Sequence, residues 1–158
     1  MSRIVRLFTT SAVLLLVTVM SALAFAAGIK DVILPPDNLP SGCKTIDGQF
    51  PVDLQISILY DYKAYKGFLP ELADKQAQSF ECDAEKASLY FFQYKSSDDR
   101  TKAERFIRPL LWGGDKPSRE HPELIKEYDN ILVIVSARKT AENLGHAFDD
   151  RVATLNKR

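Results

Sequence analysis

The chain has 158 residues and carries 21 basic and 21 acidic side chains, so its formal net charge is zero. That balance excludes the basic footprint of a nucleic-acid-binding domain and the polybasic cluster that anionic membranes attract. The length allows one ordinary domain after a leader segment, and no internal repeat divides it further.

The N-terminus has the three parts of a secretory signal sequence. Arg3 and Arg6 precede an apolar run over residues 12–20, and Ala24 and Ala26 follow at the spacing that signal peptidase recognises. We therefore expect cleavage after Ala26.

Such cleavage removes residues 1–26 as a signal peptide and leaves a periplasmic or secreted protein with no membrane span. The alternative is an uncleaved N-terminal helix that anchors the protein. It arises because apolar character extends from Leu7 to Ile29, and about 20 residues are enough to cross a bilayer core.

The two cysteines of the chain, Cys43 and Cys82, both lie in the exported part. Two thiols in an oxidising compartment predict one disulfide, with Cα atoms about 4.4–6.8 Å apart. A redox pair is the alternative, but the cysteines lack the C-x-x-C spacing of catalytic dithiols. The cysteines and histidines also lack the spacing of a zinc site, so no metal and no cofactor are expected.

The first segments after the signal predict a lead-in, a strand and a helix. Residues 27–42 are proline-rich and polar, which indicates an extended lead-in to a single domain over residues 43–158. Strict alternation over residues 52–58 predicts a half-buried strand. Residues 70–80 open with a proline and predict a short amphipathic helix. Its apolar side would hold Leu72, Ala73, Ala77 and Phe80.

The middle of the chain predicts a central strand and a helix. Residues 87–95 are aromatic and apolar on both faces, with Leu89 and Phe91 pointing one way and Tyr90, Phe92 and Tyr94 the other. Such a strand belongs in the interior of a sheet. Residues 97–111 begin with a Ser/Asp cap and have one apolar helical face, although Pro109 must kink or restart the last turn.

The C-terminal part predicts a hairpin and a final helix. Asp129 and Asn130 form a two-residue turn between two strand-like halves, of which the apolar run 131–135 is the buried one. Apolar residues then recur at helical spacing over residues 137–155, which indicates an amphipathic helix.

This order of elements favours an α+β fold: one domain with a mainly antiparallel sheet of four to five strands and two to three helices packed on it. We expect the helices on one face of the sheet, for which a ferredoxin-like arrangement is one solution. The alternative is a thioredoxin-like α/β fold, although the redox motif of that fold is missing.

The loop that follows residues 97–111 holds most of the candidate site residues. Trp112 and Gly113 indicate first a helix stop, with Gly113 in the left-handed conformation and Trp112 packed partly against the core. His121 lies near Asp115 and Glu120 in the same loop, and either carboxylate would serve as the orienting partner of a histidine base. These three residues are the candidate catalytic groups, and Trp112 is a candidate ligand-binding residue.

Two further patterns in the sequence involve side chains that can bind ligands or metals. Tyr60, Tyr62 and Tyr65 are candidates to line a groove that stacks on a sugar or an apolar ligand, although aromatics at strand spacing more often pack inside. His146 and Asp150 are one helical turn apart, a spacing that suits a divalent metal, but two ligands do not make a site.

No nucleophile elbow, P-loop, dinucleotide fingerprint, H-E-x-x-H motif or calcium loop occurs in the sequence. The expectation is therefore an exported, non-catalytic domain that binds an unknown small ligand or envelope protein. The alternative is a small hydrolase-type enzyme centred on His121.

Overall fold

The computed structural model describes residues 28–47, 67–83 and 85–157. The helices are α1 (Ile29–Val32), α2 (Ser97–Trp112) and α3 (Ala141–Leu155), and a 3-10 turn covers Pro36–Asn38. The strands are β1 (Cys43–Ile46), β2 (Leu72–Cys82), β3 (Glu85–Tyr94), β4 (Leu124–Tyr128) and β5 (Ile131–Ser136). They form one sheet in the order β1-β2-β3-β5-β4, in which every neighbouring pair is antiparallel. The predicted α+β class with a mainly antiparallel sheet is confirmed, and the number of strands is five, within the predicted four to five.

The sheet separates two apolar layers. Side chains of β3 alternate as predicted: one set packs with α1 and α3, and the other packs with α2. The expectation that all helices share one face is wrong, and a ferredoxin-like arrangement is not confirmed. Because β3 and β5 are apolar on both sides, each face needs its own helical cover. The first set on β3 is Ala87, Leu89 and Phe91, and the second is Tyr90, Phe92 and Tyr94.

Helix α2 forms where the sequence predicts it. The Ser96 hydroxyl oxygen accepts a hydrogen bond from the Asp99 amide at 3.1 Å, which caps the first turn. Pro109 lies inside the last turn, and the helix continues through it to Trp112. The helix therefore ends one residue beyond the predicted end.

The predicted hairpin joins β4 to β5 through Asp129 and Asn130, and Asp129 has a φ of 50°. Neighbouring elements hold the turn in place. The Tyr94 amide donates to the Asn130 carbonyl at 2.9 Å, and the Asn130 side-chain amide donates to the Tyr94 carbonyl. The Arg100 guanidinium of α2 donates to the Asp129 carbonyl at 2.8 Å. The turn is thus fixed both to β3 and to α2.

The predicted helix over residues 70–80 is wrong, because this segment is strand β2. It pairs with β3 along almost its whole length, and that ladder outweighs a weak helical propensity. Its polar residues also have specific partners. The hydroxyls of Ser79 and Ser88 are 2.9 Å apart across the two strands. The Gln78 side-chain amide accepts from the Leu34 N–H at 3.1 Å and donates to the Leu34 carbonyl at 2.6 Å.

The segment that leads into the domain contributes to the core. Ile29, Val32 and Leu34 are each at most 1% exposed and pack in the layer that contains α3. The predicted signal peptide lies outside the described residues, as does the predicted strand over residues 52–58. Among the described residues, no helix is both long enough and apolar enough to cross a membrane.

The predicted disulfide between Cys43 and Cys82 is confirmed. The two residues lie directly opposite each other on β1 and β2, and the Asp83 amide donates to the Gly42 carbonyl beside them at 2.9 Å. Their Cα atoms are 3.9 Å apart, closer than the expected range. A directly opposed antiparallel pair without mutual backbone bonds brings its Cα atoms to about 4.5 Å, which explains the close approach.

The predicted C-terminal helix is α3, and a carboxylate holds the loop before it. The Glu85 side chain, at the start of β3, accepts hydrogen bonds from the amides of Arg138, Lys139 and Thr140 and from the Thr140 hydroxyl. Donors on three successive residues that converge on one ionised side chain fix the path of the chain from β5 into α3.

Candidate functional site

The loop over residues 113–123 begins as predicted. Gly113 has a φ of +64°, in the left-handed region that favours glycine, and its amide donates to the Pro109 carbonyl at 2.9 Å. An added Cβ would meet no atom within 4 Å at Gly113. Glycine is therefore required here by its backbone conformation and not by lack of space.

Trp112 fixes the start of the loop to its end. The side chain is 8% exposed and packs in the α2 layer, and its indole Nε1–H donates to the Glu123 carbonyl oxygen at 2.8 Å. The Arg108 guanidinium lies over the indole ring, 5.1 Å from the centroid. Trp112 was a candidate ligand-binding residue, but little of its surface is accessible and its one polar group is already bonded.

The candidate catalytic residues lie in the same loop. His121 is half-buried, whereas Asp115 and Glu120 are exposed. The main chain of His121 is tied to Ser118: the Ser118 amide donates to the His121 carbonyl at 3.0 Å, and the His121 amide donates to the Ser118 hydroxyl at 3.1 Å. Within the described residues, neither carboxylate makes a hydrogen bond or ion pair with His121. A catalytic pairing of His121 with either carboxylate stays a prediction.

Glu123 is the residue of this loop that the sequence analysis missed. It is 0% exposed, and neither carboxylate oxygen has a hydrogen-bond partner among the described residues. Burial raises the pKa of this carboxyl. The amide N–H of the same residue and the charge on His121 lower the pKa by less, and that N–H does not have the geometry of a hydrogen bond. A glutamate in the charged stretch "EHPELIKEY" gives no sequence signal of burial, since Glu is almost never fully buried unless paired.

The aromatic residues of the sheet do not form an exposed surface. The β3 aromatics Tyr90, Phe91, Phe92 and Tyr94 are fully buried, and the three candidate tyrosines Tyr60, Tyr62 and Tyr65 lie outside the described residues.

Instead, an apolar patch lies beside α2. Phe68 is 72% exposed and its ring stacks on Phe106, with centroids 5.8 Å apart and planes at 19°. Leu110, one turn after Phe106 on the same side of the helix, is 41% exposed. We call these three residues the α2 patch. Phe68 and Leu110 are the two large hydrophobic side chains that the described part of the chain exposes most.

The pair His146 and Asp150 lies on the exposed face of α3. No group of three or more potential ligands for a metal ion occurs among residues 28–47, 67–83 and 85–157. The two residues therefore remain an isolated pair of side chains on a solvated helix face.

Two features remain as functional candidates, the α2 patch on the surface and the buried carboxyl of Glu123 beneath the loop. They lie on the same side of the sheet, since Trp112 and Phe106 both belong to the α2 layer. No protein-family model, no curated protein and no solved structure matches this chain.

Proposed function

We propose that this protein is an exported, non-catalytic domain that binds an envelope protein through the α2 patch. The exposure of Phe68 carries the proposal. Burying a phenylalanine side chain is favourable by about 1.5–3 kcal/mol, and this residue is 72% exposed. Exposed aromatic and aliphatic side chains that touch each other mark interaction sites, whereas single exposed hydrophobics do not.

Export is supported by two independent features. The N-terminus has the charge, apolar run and small-residue exit of a signal peptide. Disulfides such as Cys43–Cys82 form and persist in oxidising compartments, and a signal peptide directs a protein to such a compartment. We propose the periplasm or the extracellular space as the site of action.

The charges around the α2 patch favour an acidic partner. Lys102 and Arg105 are exposed residues of α2: Lys102 lies one helical turn before Phe106, and Arg105 directly precedes Phe106. Lys102 pairs with Asp99 at 3.3 Å, whereas Arg105 has no ion pair among the described residues. A partner segment with apolar side chains flanked by Asp or Glu complements this surface.

A membrane surface is the less favoured occupant. Lipid recognition by charge uses clusters of about four to eight basic residues, whereas on the described part of α2 the two basic residues named above lie beside the α2 patch. A hydrolase centred on His121 is also less favoured, because the described residues show no carboxylate bonded to that histidine.

The test uses two labelled amphipathic peptides with the same apolar residues, one with acidic and one with basic flanking residues. We expect fluorescence anisotropy to show binding of the acidic peptide to the wild-type protein and little binding of the basic one. Phe68→Ser and Leu110→Ser should each weaken binding about tenfold, which corresponds to about 1.4 kcal/mol. Arg105→Glu should weaken binding of the acidic peptide and strengthen that of the basic one.

Lys157→Glu is the matched control, because it makes the same charge change just beyond the end of α3, on the other side of the sheet. It should leave binding of both peptides unchanged. Equal affinity of wild-type protein and Phe68→Ser for the acidic peptide would contradict the proposal. So would binding to anionic phospholipid vesicles that exceeds binding to the acidic peptide.

A further inference from the structure

We propose that Glu123 is a proton-controlled latch: while its buried carboxyl is neutral, the loop over residues 113–123 stays fastened to the α2 layer, and when the carboxyl ionises the loop is released. The latch is independent of the proposed partner binding. It rests on the position of Glu123 and Trp112, and it predicts a conformational change in the isolated protein.

The first support is the environment of the carboxyl group. Glu123 is 0% exposed, and both of its oxygens lack a hydrogen-bond partner in the described part of the chain. An ionised carboxylate in such a site loses its hydration and gains no donor in return, which costs several kcal/mol. The neutral acid is the form that this site accommodates, and the charged form is driven toward solvent.

The second support is the bond that the same residue makes with its backbone. The Glu123 carbonyl accepts the Trp112 indole N–H at 2.8 Å. Because the carboxyl and this carbonyl belong to one residue, a backbone shift that carries the carboxyl into water also moves the carbonyl away from the indole, and the tryptophan bond is lost with it. Trp112 then loses the contact that holds it to the end of the loop.

The third support is the weak attachment of the rest of the loop. Residues 113–120 are exposed, and the described contacts within the loop are the two hydrogen bonds between Ser118 and His121. On either side the chain is firmly held, by helix α2 before Gly113 and by the β4–β5 pairing from Leu124 onward. Release therefore stays within the loop and does not unfold the sheet.

Among the described residues, His121 is the group whose charge acts on Glu123, and it lies in the same segment. From α2, Arg108 lies over the Trp112 ring and is paired with Glu104.

The basic and acidic residues of β4 are directed elsewhere. Lys126 is paired with Asp149 on the α3 side of the sheet, and Glu127 is paired with Arg100. No described cation makes an ion pair with Glu123 that would stabilise its charged form in place.

The pKa of Glu123 is raised in the folded protein, so the sign of the effect is fixed. The stabilisation of the closed loop is fully present below the ordinary carboxyl value of 4.5, and it is lost as the pH rises through the raised pKa. The latch is closed at acidic pH and open at higher pH.

The experiment uses the fluorescence of Trp112, which is the one tryptophan of the sequence. The full disulfide-bonded protein is titrated from about pH 4 to about pH 9, a range that spans the carboxyl and histidine titrations. We expect the emission to shift to the red, and the acrylamide quenching constant to rise at least about twofold with pH, while far-UV circular dichroism stays constant. Glu123→Gln, which cannot ionise, should show neither change.

His121→Ala is the second variant, because it removes the side chain of the loop whose charge acts on Glu123. The pH-dependent change should persist in this variant. Its disappearance would make His121 the sensor and overturn the proposal, as would the same fluorescence transition in Glu123→Gln.

Hydrogen exchange of the wild-type protein provides a test that needs no variant. The protection factors of amides in residues 113–123 should fall at least about tenfold across the transition, while those of β3 and β5 stay unchanged. Constant protection in this loop would overturn the proposal, and so would a parallel loss of protection throughout the sheet.

Discussion

Trp112 and Glu123 are joined by a hydrogen bond from the indole Nε1–H to the backbone carbonyl oxygen, 2.8 Å long and spanning eleven positions of the sequence. The bond closes a loop whose ends are both buried and whose middle is exposed. The helix stop at Gly113 and the buried carboxyl of Glu123 therefore belong to one structural unit. Substitutions at single positions of this loop measure what each residue contributes.

The conformation of Gly113 predicts a specific cost of substitution. Gly113→Val should lower the free energy of unfolding by about 1–2 kcal/mol, because a side chain at a φ of +64° pays the left-handed penalty that glycine avoids. Gly114→Val is the matched control, since Gly114 has open space but no positive φ. Urea denaturation measures both values. Equal losses for the two variants would contradict the conformational explanation.

His121 should contribute little to stability. Its described hydrogen bonds use the main chain and not the imidazole ring, so His121→Ala should change the free energy of unfolding by less than about 0.5 kcal/mol. Thermal melts beside Gly113→Val provide the comparison. A larger loss for His121→Ala than for Gly113→Val would mean that the ring has an essential role, which would favour the hydrolase alternative.

The disulfide should stabilise the fold chiefly through the unfolded chain. Cys43 and Cys82 are 39 positions apart, and closing a loop of that size is worth about 4 kcal/mol in the chain-entropy estimate. The double variant Cys43→Ser/Cys82→Ser should lose about that much in urea denaturation. The denatured, unreduced wild-type protein should show no reactive thiol. Two reactive thiols would rule out the bond.

Glu85 should be far more important than a surface carboxylate of the same sheet. Glu85→Gln leaves one strong acceptor oxygen and no charge for the donors at residues 138–140, and should cost about 1.5–3 kcal/mol. Glu81→Gln is the control: its ion pair with Lys44 is exposed and should be worth less than about 1 kcal/mol. A Glu85→Gln loss no larger than that of Glu81→Gln would show that the loop is held by other contacts.

The parts of the fold that could be predicted are those whose local pattern and tertiary environment agree. The alternating aromatic residues of β3 require cover on both faces, and the structure provides it. Ser96 and Gly113 mark the two ends of α2 through their capping geometry. The prediction was wrong for β2. Its polar side chains form hydrogen bonds with the Leu34 backbone and with β3, and the spacing of residues in the sequence does not indicate these long-range partners.

The candidate site was predictable only in outline. The sequence indicated the loop after α2, but it drew attention to His121 and not to Glu123. Whether this carboxyl is buried depends on how the end of the loop lies against α2, where Trp112 bonds the Glu123 backbone, and that is a tertiary relationship. The exposure of Phe68 is tertiary too, since it depends on where the turn before β2 lies beside α2.

Because the sheet divides the core into two layers, the two faces of the sheet differ in how easily their helices detach. In the described chain, α2 is the only helix over one face, whereas the other face is covered by α1 and α3 and flanked by the covalent link between β1 and β2. Detachment of α2 would uncover the aromatic side of β3 while leaving every strand pairing intact. We therefore expect the amides of α2 to exchange through a partial opening that costs less free energy than global unfolding, and those of β3 and β5 to exchange only when the whole domain unfolds.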